Sequence, residues 1–130
     1  MVTRVLDAWA VVAYLHGAEP AASRVAGLLR RGRPVMSWVN LGEVHYVVAR
    51  RHGAREADQV VRDLRHRLTL EAPSPGRVLD AARLKASYRL SYADAFAAAT
   101  AVAADGLLLT GDPELLADGA PWRAEDLRRS

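Results

Sequence analysis

Short apolar runs alternate with longer stretches of helical periodicity along the 130 residues of the chain. Val2 to Leu6 reads as a first strand, interrupted by Thr3 and Arg4. Residues 8–16 carry Val11, Val12 and Leu15 at helical spacing and stop at Gly17. Glu19-Pro20 opens a second helix, because the fixed φ of proline suits the first helical position. Val25, Leu28 and Leu29 mark the apolar face of that helix, and Gly32 marks its end. Pro34-Val35-Met36 is a short second strand. Further helices are expected over 40–51, 55–67, 74–88 and 91–104, with an extended piece at 69–72. Asp105-Gly106 turns the chain into Leu107-Leu108-Leu109-Thr110, which is apolar without alternation. Such a strand sits in the middle of a sheet covered on both faces. Gly111-Asp112-Pro113 opens a short helix through Leu116, and an edge strand falls around Trp122. The tail Arg128-Arg129-Ser130 is expected to fray. Strands alternating with helices predict an α/β domain with a parallel sheet. With no repeat, linker or low-complexity tract, residues 1–130 read as one domain.

Four acids occupy comparable places in this plan. Asp7 follows the first strand, and Asp112 follows the Leu107–Thr110 strand. Glu43 falls in the first turn of the helix over 40–51, and Asp94 in the first turn of the helix over 91–104. In a parallel α/β sheet the carboxyl ends of strands and the amino ends of the next helices share one edge, where ligands bind. Four acids remote in sequence can therefore converge. Each acid alone also reads as a helix cap: Asp7 and Asp112 as N-caps, Asn40-x-x-Glu43 and Ser91-x-x-Asp94 as capping boxes. A cap needs only one short polar side chain, and serine or threonine would serve. A carboxylate at all four positions asks for another cause. Four carboxylates within ~6 Å repel, and some would keep their protons at neutral pH unless a cation joined them. Mg²⁺ or Mn²⁺ prefers oxygen ligands, can activate a water for attack on phosphorus, and can neutralise charge on a phosphodiester. The set points to metal-dependent phosphoryl transfer to water.

Composition narrows the alternatives. The apolar share of 51% supports a real core. The absence of cysteine excludes a disulfide scaffold, a thiolate zinc site and a cysteine nucleophile, and fits a reducing, cytoplasmic setting. The net charge is +3, and Lys85 is the single lysine among 18 basic residues, so 17 are arginine. Arginine forks match phosphate geometry, which leans toward nucleic acid; solvated arginine faces are the plainer reading. Arg50, Arg51 and Arg55, around the turn between the helices over 40–51 and 55–67, are candidate contacts to an RNA backbone. His16, His45, His52 and His66 show no zinc-ligand spacing. The longest apolar run, 95–104, falls short of the ~20 residues that span a bilayer, so no membrane association is expected.

The pieces Val5-Leu6-Asp7-Ala8, Asn40-Leu41-Gly42-Glu43-Val44, Ser91-Tyr92-Ala93-Asp94-Ala95-Phe96-Ala97-Ala98-Ala99 and Leu108-Leu109-Thr110-Gly111-Asp112 resemble, in order and spacing, the PIN-domain ribonucleases. Among these they are most similar to the small VapC-like toxins of bacterial toxin–antitoxin pairs. The resemblance implies an α/β/α sandwich around a parallel, about five-stranded sheet. It also implies that Asp7, Glu43, Asp94 and Asp112 form the catalytic Mg²⁺ pocket of an endoribonuclease, with a metal-activated water as nucleophile. A homodimer and inhibition by a small cognate antitoxin are implied as well. Thr110 matches the hydroxyl residue that members often carry before the last acid, and is expected with Asn40 as a supporting or substrate contact. Many members have serine or threonine two residues after the first aspartate, where this chain has Trp9. Trp9 either lines the pocket and stacks on a base or packs against a neighbouring helix.

Two other readings compete. A non-catalytic module holding RNA or a protein could use the same fold, but it gains nothing from four repelling carboxylates. A haloacid-dehalogenase-like hydrolase fits Asp7-Ala8-Trp9 loosely. The chain is short for that class, and the lysine the class needs could only be Lys85, inside a predicted helix.

Overall fold

The computed structural model describes residues 2–129. Its strands are three or four residues long: β1 (Arg4–Leu6), β2 (Val35–Ser37), β3 (Thr69–Glu71), β4 (Leu107–Thr110) and β5 (Arg123–Asp126). They form a parallel sheet in the order β3-β2-β1-β4-β5. Six helices surround it: α1 (Ala8–Leu15), α2 (Ala21–Arg31), α3 (Trp38–His52), α4 (Ala54–Arg65), α5 (Pro75–Ser87) and α6 (Tyr92–Ala103). A single 3₁₀ turn spans Pro113–Leu115. The fold is the expected α/β sandwich.

Successive strand side chains point to opposite faces. That rule explains why the strands read as continuous apolar runs. Leu6, Met36 and Leu109 pack on one face with residues of α1 to α4, while Val5 and Leu108 pack on the other with residues of α5 and α6. Alanine dominates the inner side of α6, where Ala95, Ala97, Ala98, Ala99 and Ala101 are all buried. Side chains that short bring the α6 backbone close to the sheet, which places Asp94 at its edge.

Several boundaries differ from expectation. Val2 and Thr3 lie outside β1, and β2 runs one residue further, to Ser37. β4 is an interior strand flanked by β1 and β5, as its unbroken apolar run implies, and β1 is the middle strand of the five. Thr3 and Arg4 made β1 the weaker candidate for a central place, but Val5 and Leu6 are wholly enclosed. Pro20 caps α2 instead of opening it. The largest shift concerns α3, which starts at Trp38 because Ser37 is its N-cap: the Ser37 hydroxyl accepts from the Val39 amide at 3.2 Å. Asn40 is thus an interior helical residue, the capping box with Glu43 does not form, and Glu43 lies beyond the first turn. At the tail, Arg128 and Arg129 are tied to Asp126, with Arg128 Nε at 2.9 Å and Arg129 Nε at 3.2 Å. Ser130, the last residue of that tail, lies outside the described residues. Among the described residues no helix is long and apolar enough to cross a membrane.

Candidate active site

All four acids project to the carboxyl edge of the sheet. Asp7 leaves the end of β1 as the N-cap of α1, and its Oδ1 accepts from the Ala10 amide at 2.9 Å. Its Oδ2 accepts from the Thr110 hydroxyl at the end of β4. The same hydroxyl oxygen accepts from the Asp112 amide at 3.0 Å. Asp112 caps the 3₁₀ turn through the Glu114 amide, at 2.9 Å. Asp94 sits in the first turn of α6, whose cap is Ser91, the hydroxyl accepting from the Asp94 amide at 3.1 Å. The capping readings of Asp7 and Asp112 therefore hold for one oxygen each. They do not account for Asp94, whose side chain meets Asp112.

The electrostatics records the convergence. Burial pushes the Asp7 carboxyl up to about 7, against the Thr110 and Ala10 hydrogen bonds that favour its ionised form, and the charges of Asp112 and Glu43 raise it further. Asp94 is pushed up to about 8, first by burial, then by its hydrogen bond with Asp112 and the charges of Asp112, Asp7 and Glu43. Glu43 is raised by burial and then by Asp112. Desolvation and like charge act in the same direction here, and no basic residue figures among the causes. Glu43 Oε1 is enclosed without any hydrogen-bond partner. A buried carboxylate oxygen with no donor is expensive to leave so, and a hard cation satisfies it. The donor set fits a divalent metal. Carboxylate oxygens of Asp94, Asp112 and Glu114 lie within 4.8 Å of one another. Glu114 is the acid that sequence reasoning missed. Its only signal is a position two residues after Asp112, where an exposed acid in the first turn of a helix passes as ordinary.

The remaining candidates fall in three places. Thr110 is fully buried against Asp7 and Asp112 and orients both. Asn40 is also fully buried, and its Nδ2 donates to the Ala93 carbonyl at 2.8 Å, tying α3 to the start of α6 one residue before Asp94. Its Oδ1, like Glu43 Oε1, has no partner. Arg50, Arg51 and Arg55 are exposed near the α3–α4 junction. The Arg50 guanidinium lies 4.9 Å above the Tyr46 ring, and Arg51 Nη1 is 3.2 Å from His16 Nε2. Glu43, Tyr46 and Arg50 follow one another at i, i+3 and i+7 and so share a helix face. Lys85 is exposed on α5 and does not figure among the charges acting on Asp7, Glu43 or Asp94, which leaves the dehalogenase-like reading without its lysine.

Trp9 packs on the fold. Its ring joins the core residues beside α1 and covers the backbone of Gly111, where a Cβ would collide with ring carbons. Glycine at 111 makes room for the indole between Thr110 and Asp112. The hydroxyl expected at position 9 is absent, and Thr110 orients Asp7 from the neighbouring strand instead. Gly111→Ala should therefore be destabilising by about 1–3 kcal/mol, the usual range for overpacking a tight site. Chemical denaturation of the variant measures it.

A parallel sheet whose carboxyl edge gathers carboxylates from the ends of β1 and β4 and from α3 and α6 defines an α/β protein with an acidic edge. Residues 4–118 match the sequence model of the PIN domain, and the chain belongs to that family. Solved structures share the fold. The DNA-bound VapBC of Salmonella typhimurium superposes with a TM-score of 0.76 at 16% identity, over 98% of this chain and 99% of that one. VapBC2 of Rickettsia felis, bound to a DNA fragment from its promoter, gives 0.75 at 15% identity, over 95% and 98%. VapC20 of Mycobacterium tuberculosis, a sarcin-ricin loop cleaving toxin, gives 0.74 at 17% identity, over 90% and 95%. No curated protein sequence matches the chain.

Proposed function

We propose that this PIN-domain protein is a Mg²⁺-dependent endoribonuclease, with Mn²⁺ able to substitute, and that it is the toxin of a toxin–antitoxin pair. The observation that carries the reading is the close group of Asp94, Asp112 and Glu114 carboxylates at this edge, with Asp7 and Glu43 near enough for their charges to act on Asp94 and Glu43 Oε1 left without a donor among the described residues. Asp7, Glu43, Asp94 and Asp112 would hold the cation. A divalent ion supplies charge neutralisation on the phosphodiester and a water of lowered pKa. Thr110 and the Ala10 amide fix the Asp7 carboxylate in one orientation, and Asn40 fixes α3 against α6 so that Glu43 and Asp94 keep their separation. Arg50, Arg51 and Arg55 would take the RNA backbone. Arg50 stands about 10 Å along α3 from Glu43, at about 1.5 Å per residue, within reach of a strand crossing the pocket. The presence of VapBC complexes among the structures of the same fold supports an antitoxin as partner; a homodimer as the assembly is part of the proposal.

Crystals soaked in Mn²⁺ test the site directly. The expected result is an anomalous peak bounded by the carboxylates of Asp7, Glu43, Asp94 and Asp112, together with RNA cleavage in Mg²⁺ that stops in EDTA. An empty pocket with RNA left uncut would overturn the reading.

A further inference from the structure

The opposite edge of the sheet carries a basic groove, and we propose that it binds a terminal phosphate dianion, borne by a small nucleotide-like molecule or by the end of an RNA. This groove lies between the amino ends of β1 and β2 and the carboxyl end of α2, and has a volume of about 580 Å³. Arg4, Arg31 and Arg33 contribute to it over apolar walls from Leu28, Pro34 and Val35, and no carboxylate is among the residues that line it.

Arg4 is the decisive residue. Its Nε is enclosed and has no hydrogen-bond partner among the described residues. Leaving a buried charged donor unpaired is costly, and the nearby acid does not relieve it. Glu125 feels the Arg4 charge, but Arg24 takes both of its oxygens, Nε on Oε2 at 2.9 Å and Nη2 on Oε1 at 3.0 Å. Arg31 also enters no ion pair among the described residues. Arg31 by itself answers the negative end of α2. Arg4 stands on a strand, where no helix end accounts for it. Arg33 is held at the rim by bonds from Nη2 to the carbonyls of Arg65 and Leu68, both at 3.3 Å.

The groove's three guanidinium groups pair with no carboxylate among the described residues, and two of them, Arg4 and Arg31, have no hydrogen-bond partner there either. They match a multiply charged anion, and a phosphate monoester or terminal pyrophosphate presents one with oxygens suited to both free forks. A lone carboxylate supplies only a single charge. The apolar walls leave room for an organic body behind the phosphate, and the volume falls within the range of small-ligand sites. Because the groove and the acids occupy opposite edges, binding here needs no metal and does not depend on the nuclease reading.

Titration calorimetry of the full chain in EDTA, at fixed ionic strength, tests the site with pyrophosphate, adenosine diphosphate, and short oligoribonucleotides bearing a 5′-phosphate or a 5′-hydroxyl. Saturable binding is expected for the pyrophosphate probe, weakened at least tenfold in Arg4→Gln and in Arg31→Gln and unchanged in Asp94→Asn. Tighter binding of adenosine diphosphate than of the 5′-phosphorylated RNA assigns the small molecule, and the reverse order assigns the RNA end. No saturable binding of any phosphate probe, or equal binding by Arg31→Gln, overturns the proposal. So does equal binding of the 5′-hydroxyl and 5′-phosphate RNAs. Should Arg4→Gln fail to fold, the exposed Arg31 alone decides.

Discussion

An Asp94→Asn protein is expected to fold like the parent and to cleave RNA at least about a hundredfold more slowly in Mg²⁺. The bound rests on the 10–100-fold losses seen when only a group supporting a metal ligand is removed; Asp94 is proposed as a ligand itself. The substitution is well suited to separate chemistry from folding. Ser91, not Asp94, caps α6, so the helix keeps its N-terminal hydrogen bond, and the amide fills almost the same volume. What changes is charge: the carboxamide cannot neutralise a dication and turns an N–H donor toward the acids. Circular dichroism checks the fold and a fluorogenic RNA assay the rate. Full activity in metal-replete Asp94→Asn removes the catalytic assignment.

The convergence of the acids was legible because Asp7 and Asp112 follow strands directly and Asp94 follows a clear serine cap. Local rules fix such positions. Glu43 was placed near the right edge for a reason that does not hold. The cap of α3 is Ser37 and not Asn40. The Asn40 amide instead donates to the Ala93 carbonyl, a contact between segments 53 residues apart that no local pattern announces. Trp9 is a similar case. Whether its ring faces a ligand or the core depends on Gly111, about a hundred positions away, lacking a Cβ. The central position of β1 was hidden because Arg4 reads as an interruption, whereas its side chain reaches the groove at the amino end of the strand. Periodicity thus locates elements and the edge where they end. The contacts that orient side chains there come from pairings between distant segments.

Without metal, the protein is expected to lose stability as the pH rises from about 5 to 8, and Mg²⁺ or Mn²⁺ should reverse the loss. Between its ordinary value of 3.8 and its folded value of about 7, the Asp7 carboxyl is ionised in the unfolded chain and protonated in the folded one. The folded state binds more protons, so stability falls as pH rises, by up to about 1.4 kcal/mol per unit. Over the whole interval from 3.8 to about 7 Asp7 alone accounts for on the order of 4 kcal/mol at most, of which about 3 kcal/mol falls above pH 5. Asp94, held up to about 8, extends the decline. Glu125 acts oppositely: Arg24 holds it below its usual range, so the stability it gives is lost on acidification. The maximum therefore falls at about pH 4, where Asp7 and Asp94 begin to ionise in the unfolded chain. Thermal melts in EDTA should then show Tm at pH 8 several degrees below that at pH 5, with a shallower fall in Asp7→Asn, whose amide oxygen can still cap α1. A cation lowers the carboxyl values and removes the penalty, so millimolar Mg²⁺ should raise Tm at pH 8 and barely change it at pH 5. A flat profile in EDTA with no response to metal, or a clear loss of stability in every one of Asp7→Asn, Glu43→Gln, Asp94→Asn and Asp112→Asn, would mean that these side chains serve the helices beside them and not one another.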